Sequence, residues 1–279
     1  MTGHATAKKY PRLAFIGAGN MASAIIGGLV KHDYPPANIA ASDPSRDKLI
    51  ELNRQFNIAI SDSNSKACQW AEIVILAVKP QVMKTVADTV KPALTHHPLF
   101  ISIAAGITTR QLAQWLGQDI AIIRAMPNTP ALVQSGATGL YATTAVSKQQ
   151  QTQAETILNA IGCTTWVNDE SLIDVVTAVS GSGPAYFFLL METMIDAAVK
   201  QGLTRAVAEK LTLQTALGAA ELAKASDVDI AELRRRVTSP GGTTEQAIRL
   251  FQEAGFVQSV ENAMYGCAER SQQLAQEFD

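Results

Sequence analysis

Residues 13–22, LAFIGAGNMA, constrain the fold of this chain more than any other stretch. The apolar run Leu13–Ile16 breaks at Gly17 into a glycine-rich turn, and small and apolar residues at helical spacing (Ala22, Ala24, Ile25, Ile26) follow at once. Strand, turn and helix in direct succession predict the phosphate-binding start of a dinucleotide fold. Gly17 takes a turn that a side chain obstructs, Gly19 admits a pyrophosphate close to the backbone, and Ala22 lets the helix lie close on the strand. Ala18, Asn20 and Met21 complete the turn, and the free amides of the helix start face an anion.

Downstream, short apolar runs at 39–42, 57–60, 73–78, 99–103 and 120–124 alternate with helical patterns at 47–55, 66–70, 82–94 and 109–116. That alternation predicts an α/β, Rossmann-type doubly wound parallel sheet. GATGLYAT (136–143) reads as a further strand, 149–161 as a helix and 164–167 as a last edge strand. Past 170 only helical periods remain, at 172–201, 205–225, 230–237, 244–253 and 258–275. The expected domains are therefore 1–168, dinucleotide-binding, and 169–279, all-helical. Two Gly-rich stretches interrupt the helices, SGSGPAY (180–186) and TSPGGTT (238–244).

Composition narrows the function. With 47% apolar residues over 279 positions the chain has ample material for a core, and its net charge of −2 leaves no footprint for nucleic acid or an anionic membrane. The three arginines Arg234 to Arg236 read as a solvated helix face. Three widely spaced cysteines without a CxxC predict neither a disulfide framework nor a metal site, and point to a reducing cytoplasm. Residues 1–12 lack a signal-peptide core and read as a disordered lead-in. The apolar run 184–199 is broken by Glu192 and Asp196 and reads as too short and too charged to span a bilayer.

The strand ends carry the chemistry. GAGNMA, SDPSR, AVKP, IAAG and RAMPNTP each follow a predicted strand, and ligands of open α/β sheets bind outside those carboxyl ends. Asp43 lies 21 positions beyond Ala22, where a dinucleotide fold presents its ribose reader. An acidic Asp43 aimed at the ribose favours NAD, whereas Ser42, Ser45 and Arg46 hold a 2′-phosphate, favouring NADPH, if Asp43 turns away. Lys79 is a candidate for phosphate or nicotinamide, and Asn128 for a carboxamide or substrate. The four histidines all precede residue 100, so histidine acid–base chemistry has no candidate, and no GxSxG supports a serine hydrolase. The two Gly-rich interruptions offer unhindered amides and hydroxyls suited to a small carboxylate.

Taken together, GAGNMA, AVKP, IAAG, RAMPNTP, SGSGPAY and SPGGTT resemble the Δ1-pyrroline-5-carboxylate reductase family, in order from about Leu13 to the C-terminus. The resemblance implies a Rossmann-type N-terminal domain, a helical domain that interleaves with its partner's into a homodimer, and assembly of dimers into larger rings. It also implies hydride transfer from NADPH or NADH to the cyclic imine, giving L-proline. Cofactor contacts fall by this resemblance on Gly17 to Ala22, Ser42, Asn64, Ala77, Val78, Lys79, Pro80, Ala104 and Ala105. Substrate contacts fall on Glu170, Ser239, Gly241, Gly242, Thr243 and Thr244, with Thr177 as the suggested proton donor. The SPGGTT loop is expected to hold the substrate carboxylate through the hydroxyls of Ser239 and Thr244 and the amides of Gly242 to Thr244. A β-hydroxy-acid dehydrogenase is the nearest alternative, but Tyr186, Phe187 and Phe188 stand where that family carries its lysine. A nicotinamide-binding sensor without turnover is an alternative of another class.

Overall fold

Alternation in the central strands builds the core. In the computed structural model, which describes residues 10–117 and 120–278, Leu13 and Phe15 of strand β1 (Leu13–Ile16) join one apolar cluster and Ala14 and Ile16 the other. In β4 (Ile73–Leu76) the same division separates Ile73 and Ile75 from Val74 and Leu76. A strand buried on both faces needs helices on both, which is why these segments read as unbroken apolar runs.

The helices that cover the sheet follow from the intervening segments. With β2 (Ile39–Ser42), β3 (Ala59–Ser61), β5 (Leu99–Ser102), β6 (Ile122–Met126), β7 (Gly136–Ala142) and β8 (Gly162–Trp166), the sheet has the order β3-β2-β1-β4-β5-β6-β7-β8. One face carries α1 (Asn20–Lys31), α2 (Arg46–Phe56) and α6 (Lys148–Asn159), and the other α3 (Asn64–Trp70), α4 (Pro80–Val90) and α5 (Thr109–Leu116). Starts are marked as chemistry requires: Ser63, Thr108 and Ser147 accept amide hydrogens at the helix N-caps, and Pro80 opens α4.

The predicted doubly wound sheet is present, with one antiparallel pairing, β6 with β7. Residues 127–135 are too few for a crossover, so the chain turns back instead. β6 also runs two residues later than expected and carries Arg124 inside the strand.

The helical part begins with α7 (Leu172–Val176), a π turn (Thr177–Gly181) and α8 (Gly183–Lys200), followed by α9 (Arg205–Ala225), α10 (Ile230–Arg236), α11 (Thr243–Glu253) and α12 (Phe256–Gln276). SGSGPAY, expected to interrupt a helix, is absorbed by the π turn. The continuous helix Leu172–Lys200 is 29 residues long, with an 18-residue window of mean hydropathy 1.4. By length and composition it is long and apolar enough to cross a membrane, so the expectation that this region is too short to span a bilayer does not hold.

Contacts divide the chain into residues 1–182 with 267–279, and residues 183–266. The expected boundary at 168/169 lies earlier because α7 belongs to the sheet unit: Ile173 and Asp174 are buried there, and Ser271 donates to Asp174 at 2.7 Å. In the second unit α8 and α9 lie against each other, yet α8 buries only Gly183, α9 only Ala208 and Thr212, and α10 and α11 nothing. Phe187, Phe188, Leu189 and Leu213 are each more than half exposed. Of the lead-in expected over residues 1–12, residues 1–9 lie outside the described residues, whereas Tyr10 to Arg12 are tied to the sheet unit: Asn38 donates to the Tyr10 carbonyl at 2.7 Å and the Arg12 N–H to Glu72 at 3.1 Å.

A close backbone approach between α1 and the end of α6 tests the packing. A Cβ at Gly28 of α1 would run into the carbonyl oxygen of Ala160, just after α6. Gly28→Ala is expected to lower the unfolding free energy by about 1–3 kcal/mol despite alanine's better helix propensity. Urea denaturation measures it, and an unchanged or raised midpoint would show that the two backbones separate freely.

Candidate functional site

Three segments meet where β1, β2 and β4 end. The Gly17 N–H donates to the Ser42 carbonyl at 2.7 Å, and the Ala77 N–H to the Ile16 carbonyl at 2.8 Å. Gly17 has φ +108°, and a Cβ there would collide with the Ala77 carbonyl, so the turn requires glycine twice over. The resulting cavity has a volume of about 650 Å3. Gly17, Gly19, Ser42, Asp43, Asn64, Ala77, Val78 and Lys79, all cofactor candidates in the sequence, line it.

Gly19 caps the start of α1, and no side chain caps that helix, nor is there an acidic residue in its first turn. A Cβ added at Gly19 would meet no atom within 4 Å. The chain itself therefore leaves this space open, in front of helix-terminal amides that lack intrahelical partners. A dinucleotide pyrophosphate fits that cradle.

The remaining cofactor candidates take other places. Ala18 gives its N–H to Asp43 Oδ2 at 2.8 Å, and Ala22 packs fully buried against the core. Asn20 and Met21 start α1, Pro80 starts α4, and Ala104 and Ala105 follow β5, all outside the cavity lining. Arg46 is exposed and outside the lining too, whereas Lys48, two residues on, is part of it. Lys48, Ser65, Thr85 and Thr89 were not anticipated, because their place depends on the directions of α2, α3 and α4 rather than on any motif.

A second cluster gathers around Glu170. Its Oε1 accepts from the Thr109 N–H at 2.7 Å and from the Arg124 guanidinium at 3.1 Å, and its Oε2 accepts from the Thr109 hydroxyl at 2.5 Å. Arg124, with 4% of its side chain exposed, also lies 3.8 Å from Asp174. Asn128 donates to the Ser180 carbonyl and accepts from the Ala137 N–H, each at 2.9 Å. The Asn128 amide thus joins β7 to the π turn. Thr177 lies in that turn, and its hydroxyl donates to the Ile173 carbonyl at 2.8 Å.

In the second unit the SPGGTT segment forms the start of α11. Gly241 takes φ +71° and donates to Glu245 Oε2 at 2.7 Å, while the Gly242 N–H donates to the Ser239 carbonyl at 3.0 Å. The expectation that the Gly242 amide faces an anion is corrected, since the turn itself engages it. Thr243 and Thr244 remain as the first residues of α11, whose amides have no intrahelical acceptor. Among the described residues no cluster of three or more potential metal ligands occurs.

Comparison with known proteins adds three kinds of finding. Residues 170–274 match a family model described as pyrroline-5-carboxylate reductase dimerisation, and residues 12–106 one described as NADP oxidoreductase, coenzyme F420-dependent. A pyrroline-5-carboxylate reductase of Pseudomonas aeruginosa is 54% identical over 96% of this chain and 98% of its own length. Among solved structures, a pyrroline-5-carboxylate reductase from Coxiella burnetii superposes with a TM-score of 0.92 at 41% identity, over 96% of this chain and 99% of that one. One from Plasmodium falciparum with NADP bound gives 0.84 at 31% identity, over 95% and 98%.

The open space at Gly19 makes a separable prediction. Gly19→Val branches from a Cβ that meets no atom within 4 Å, so its thermal midpoint is expected to match the parent's while dinucleotide binding falls at least about a hundredfold. Fluorescence titration measures both proteins, and near-parental affinity would remove the cradle from the binding site.

Proposed function

The chain belongs to the pyrroline-5-carboxylate reductase family, and on that premise we propose that it reduces 1-pyrroline-5-carboxylate to L-proline with NADPH. The observation that carries the cofactor half of this reading is the uncapped start of α1 beside the space that Gly19 leaves open. Held against the start of α1 and the cavity lining, NADPH would supply a hydride to the imine carbon, the ring nitrogen keeping the proton of the protonated imine. A protonated imine is already electrophilic, so the protein's task is positioning rather than strong acid catalysis. The lack of any histidine after residue 100 is consistent with that task.

The residues divide the work as follows. Amides at the start of α1 face the pyrophosphate, and Ser42, Asn64, Val78 and Lys79 surround the rest of the dinucleotide. The first-turn amides of Thr243 and Thr244, with the hydroxyls of Ser239 and Thr244, hold the substrate carboxylate. Thr177 supports the π turn, because its hydroxyl proton is directed at Ile173 and reaches the imine only by giving up that bond. Glu170 shapes the substrate side through its bonds to Thr109 and Arg124.

The helical unit supports a homodimer, since a segment that buries so few of its apolar residues requires a second copy to cover them. Dimers assemble further into rings, and the enzyme works in the cytoplasm. Sedimentation at micromolar concentration is expected to show dimers or larger species, and an active monomer would contradict the arrangement.

Consumption of NADPH on addition of the cyclic imine tests the activity directly; no turnover with either reduced nicotinamide would overturn it in favour of a sensor. Thr244→Val is expected to raise the Michaelis constant for the imine about ten- to a hundredfold with NADPH affinity intact. Thr177→Val is expected to lower kcat less than tenfold, roughly, whereas an essential acid would cost about a hundredfold or more. An unchanged Michaelis constant in the first variant would move the carboxylate away from SPGGTT.

A further inference from the structure

With NADPH taken as the cofactor, as read above, some residue must distinguish a ribose 2′-phosphate from a 2′-hydroxyl. In dinucleotide folds that choice is made just after the second strand, where an acidic side chain takes the hydroxyl or a cation the phosphate. Asp43 stands at that place, but its carboxylate is engaged with the backbone: Oδ2 accepts from the Ala18 N–H and Oδ1 from the Ser45 N–H, each at 2.8 Å. Both oxygens are thus turned to the glycine-rich turn and to the start of α2.

Three cations compete for the phosphate: Arg46 and Lys48, which follow Asp43 closely in sequence, and Lys79, which lines the cavity. Arg46 is exposed and lies outside the cavity lining. Lys79 lines the cavity but follows β4, and β1 separates β4 from β2 in the sheet. Lys48 both lines the cavity and sits in the first turn of α2, the helix that follows β2. Among the described residues no ion pair holds its ammonium, whereas Asp62, the other acid in the lining, lies 3.8 Å from Lys66. The same lining holds Ser42 and Asn64, the Ser42 hydroxyl donating to Asn64 at 2.8 Å.

We propose that Lys48 is the residue that selects NADPH by receiving its 2′-phosphate, and that Asp43 is a positioning residue that clamps the glycine-rich turn. The two roles are complementary. A carboxylate aimed into the ribose space would repel a phosphate, and the clamp turns it away while stiffening the phosphate cradle.

Titration of the full-length protein with NADPH and with NADH, followed by cofactor fluorescence, tests both roles. Lys48→Gln is expected to raise the dissociation constant for NADPH about tenfold and to change that for NADH less than about twofold, with Lys48→Arg restoring the preference. Arg46→Ala is expected to leave both within about twofold. Added salt should narrow the gap between the cofactors in the parent and not in Lys48→Gln. Asp43→Asn is expected to weaken both cofactors by the same factor, because it loosens the turn they share. Selective loss of NADH with tighter NADPH binding would instead make Asp43 the ribose reader and overturn its positioning role. A parent protein that binds both cofactors, with Lys48→Gln shifting them equally or not at all, overturns the Lys48 assignment alone. A parent that binds neither overturns the cofactor reading and this assignment with it.

Discussion

The clamp of Asp43 on the backbone of the glycine-rich turn is the interaction on which the site depends. One carboxylate joins the Ala18 N–H to the Ser45 N–H, so the turn after β1 and the start of α2 move as one piece. Bonds from Gly17 to the Ser42 carbonyl and from Ala77 to the Ile16 carbonyl fix the same turn from β2 and β4. Hydrogen bonds to a charged group contribute about 1.5–3 kcal/mol each, roughly twice a neutral one. The strength is placed where precision matters, because α1 can present its first-turn amides to a phosphate only if the turn before it does not drift.

A second charged cluster does for the far side of the sheet what the clamp does for the near side. Arg124, nearly inaccessible, lies between Glu170 and Asp174, so one cation faces two carboxylates. The Thr109 N–H and hydroxyl and the Ser271 hydroxyl supply the remaining donors. Buried charges persist when paired and hydrogen-bonded, and here each carboxylate has Arg124 nearby and at least one further hydrogen-bond donor. Ser271 belongs to the end of α12 and Gln111 of α5 donates to the Ala275 carbonyl, so the last turns of the chain close over the sheet unit.

The parts legible in the sequence are those with a single physical solution. Strands β1, β4 and β5 show as continuous apolar runs because both faces are buried, and the turn after β1 shows because no side chain fits at Gly17. Arg124 hid the true span of β6, since a charged residue reads as the end of a strand until its partners, 46 and 50 positions away, are known. SGSGPAY read as a break, yet its small residues permit a π turn in which helix continues. Lys48 carries no signal of its own: only the direction of α2 separates it from Arg46, whose charge and distance from Asp43 made it the more obvious choice.

The helical unit follows a different logic from the sheet. In the sheet each helix is specified by a face that the strands bury, whereas α8 to α11 hold Leu189, Leu213, Leu217 and Phe251 about half or more exposed. Glu192 and Asp196 on α8, the latter paired with Arg205 at 2.6 Å, set charges among the apolar residues of a helix long enough to cross a bilayer. Lipid would have to solvate those charges, while a second protein surface can leave them at its rim. The SPGGTT turn connects α10 to α11, two helices with no buried residue in the single chain. Its internal bonds, Gly242 to Ser239 and Gly241 to Glu245, set its local shape, but its place is held only as firmly as the helices on either side. On the proposal that Thr243 and Thr244 hold the substrate, an association that covered those helices would also fix the turn, and recognition would then be a property of the assembled protein rather than of one chain.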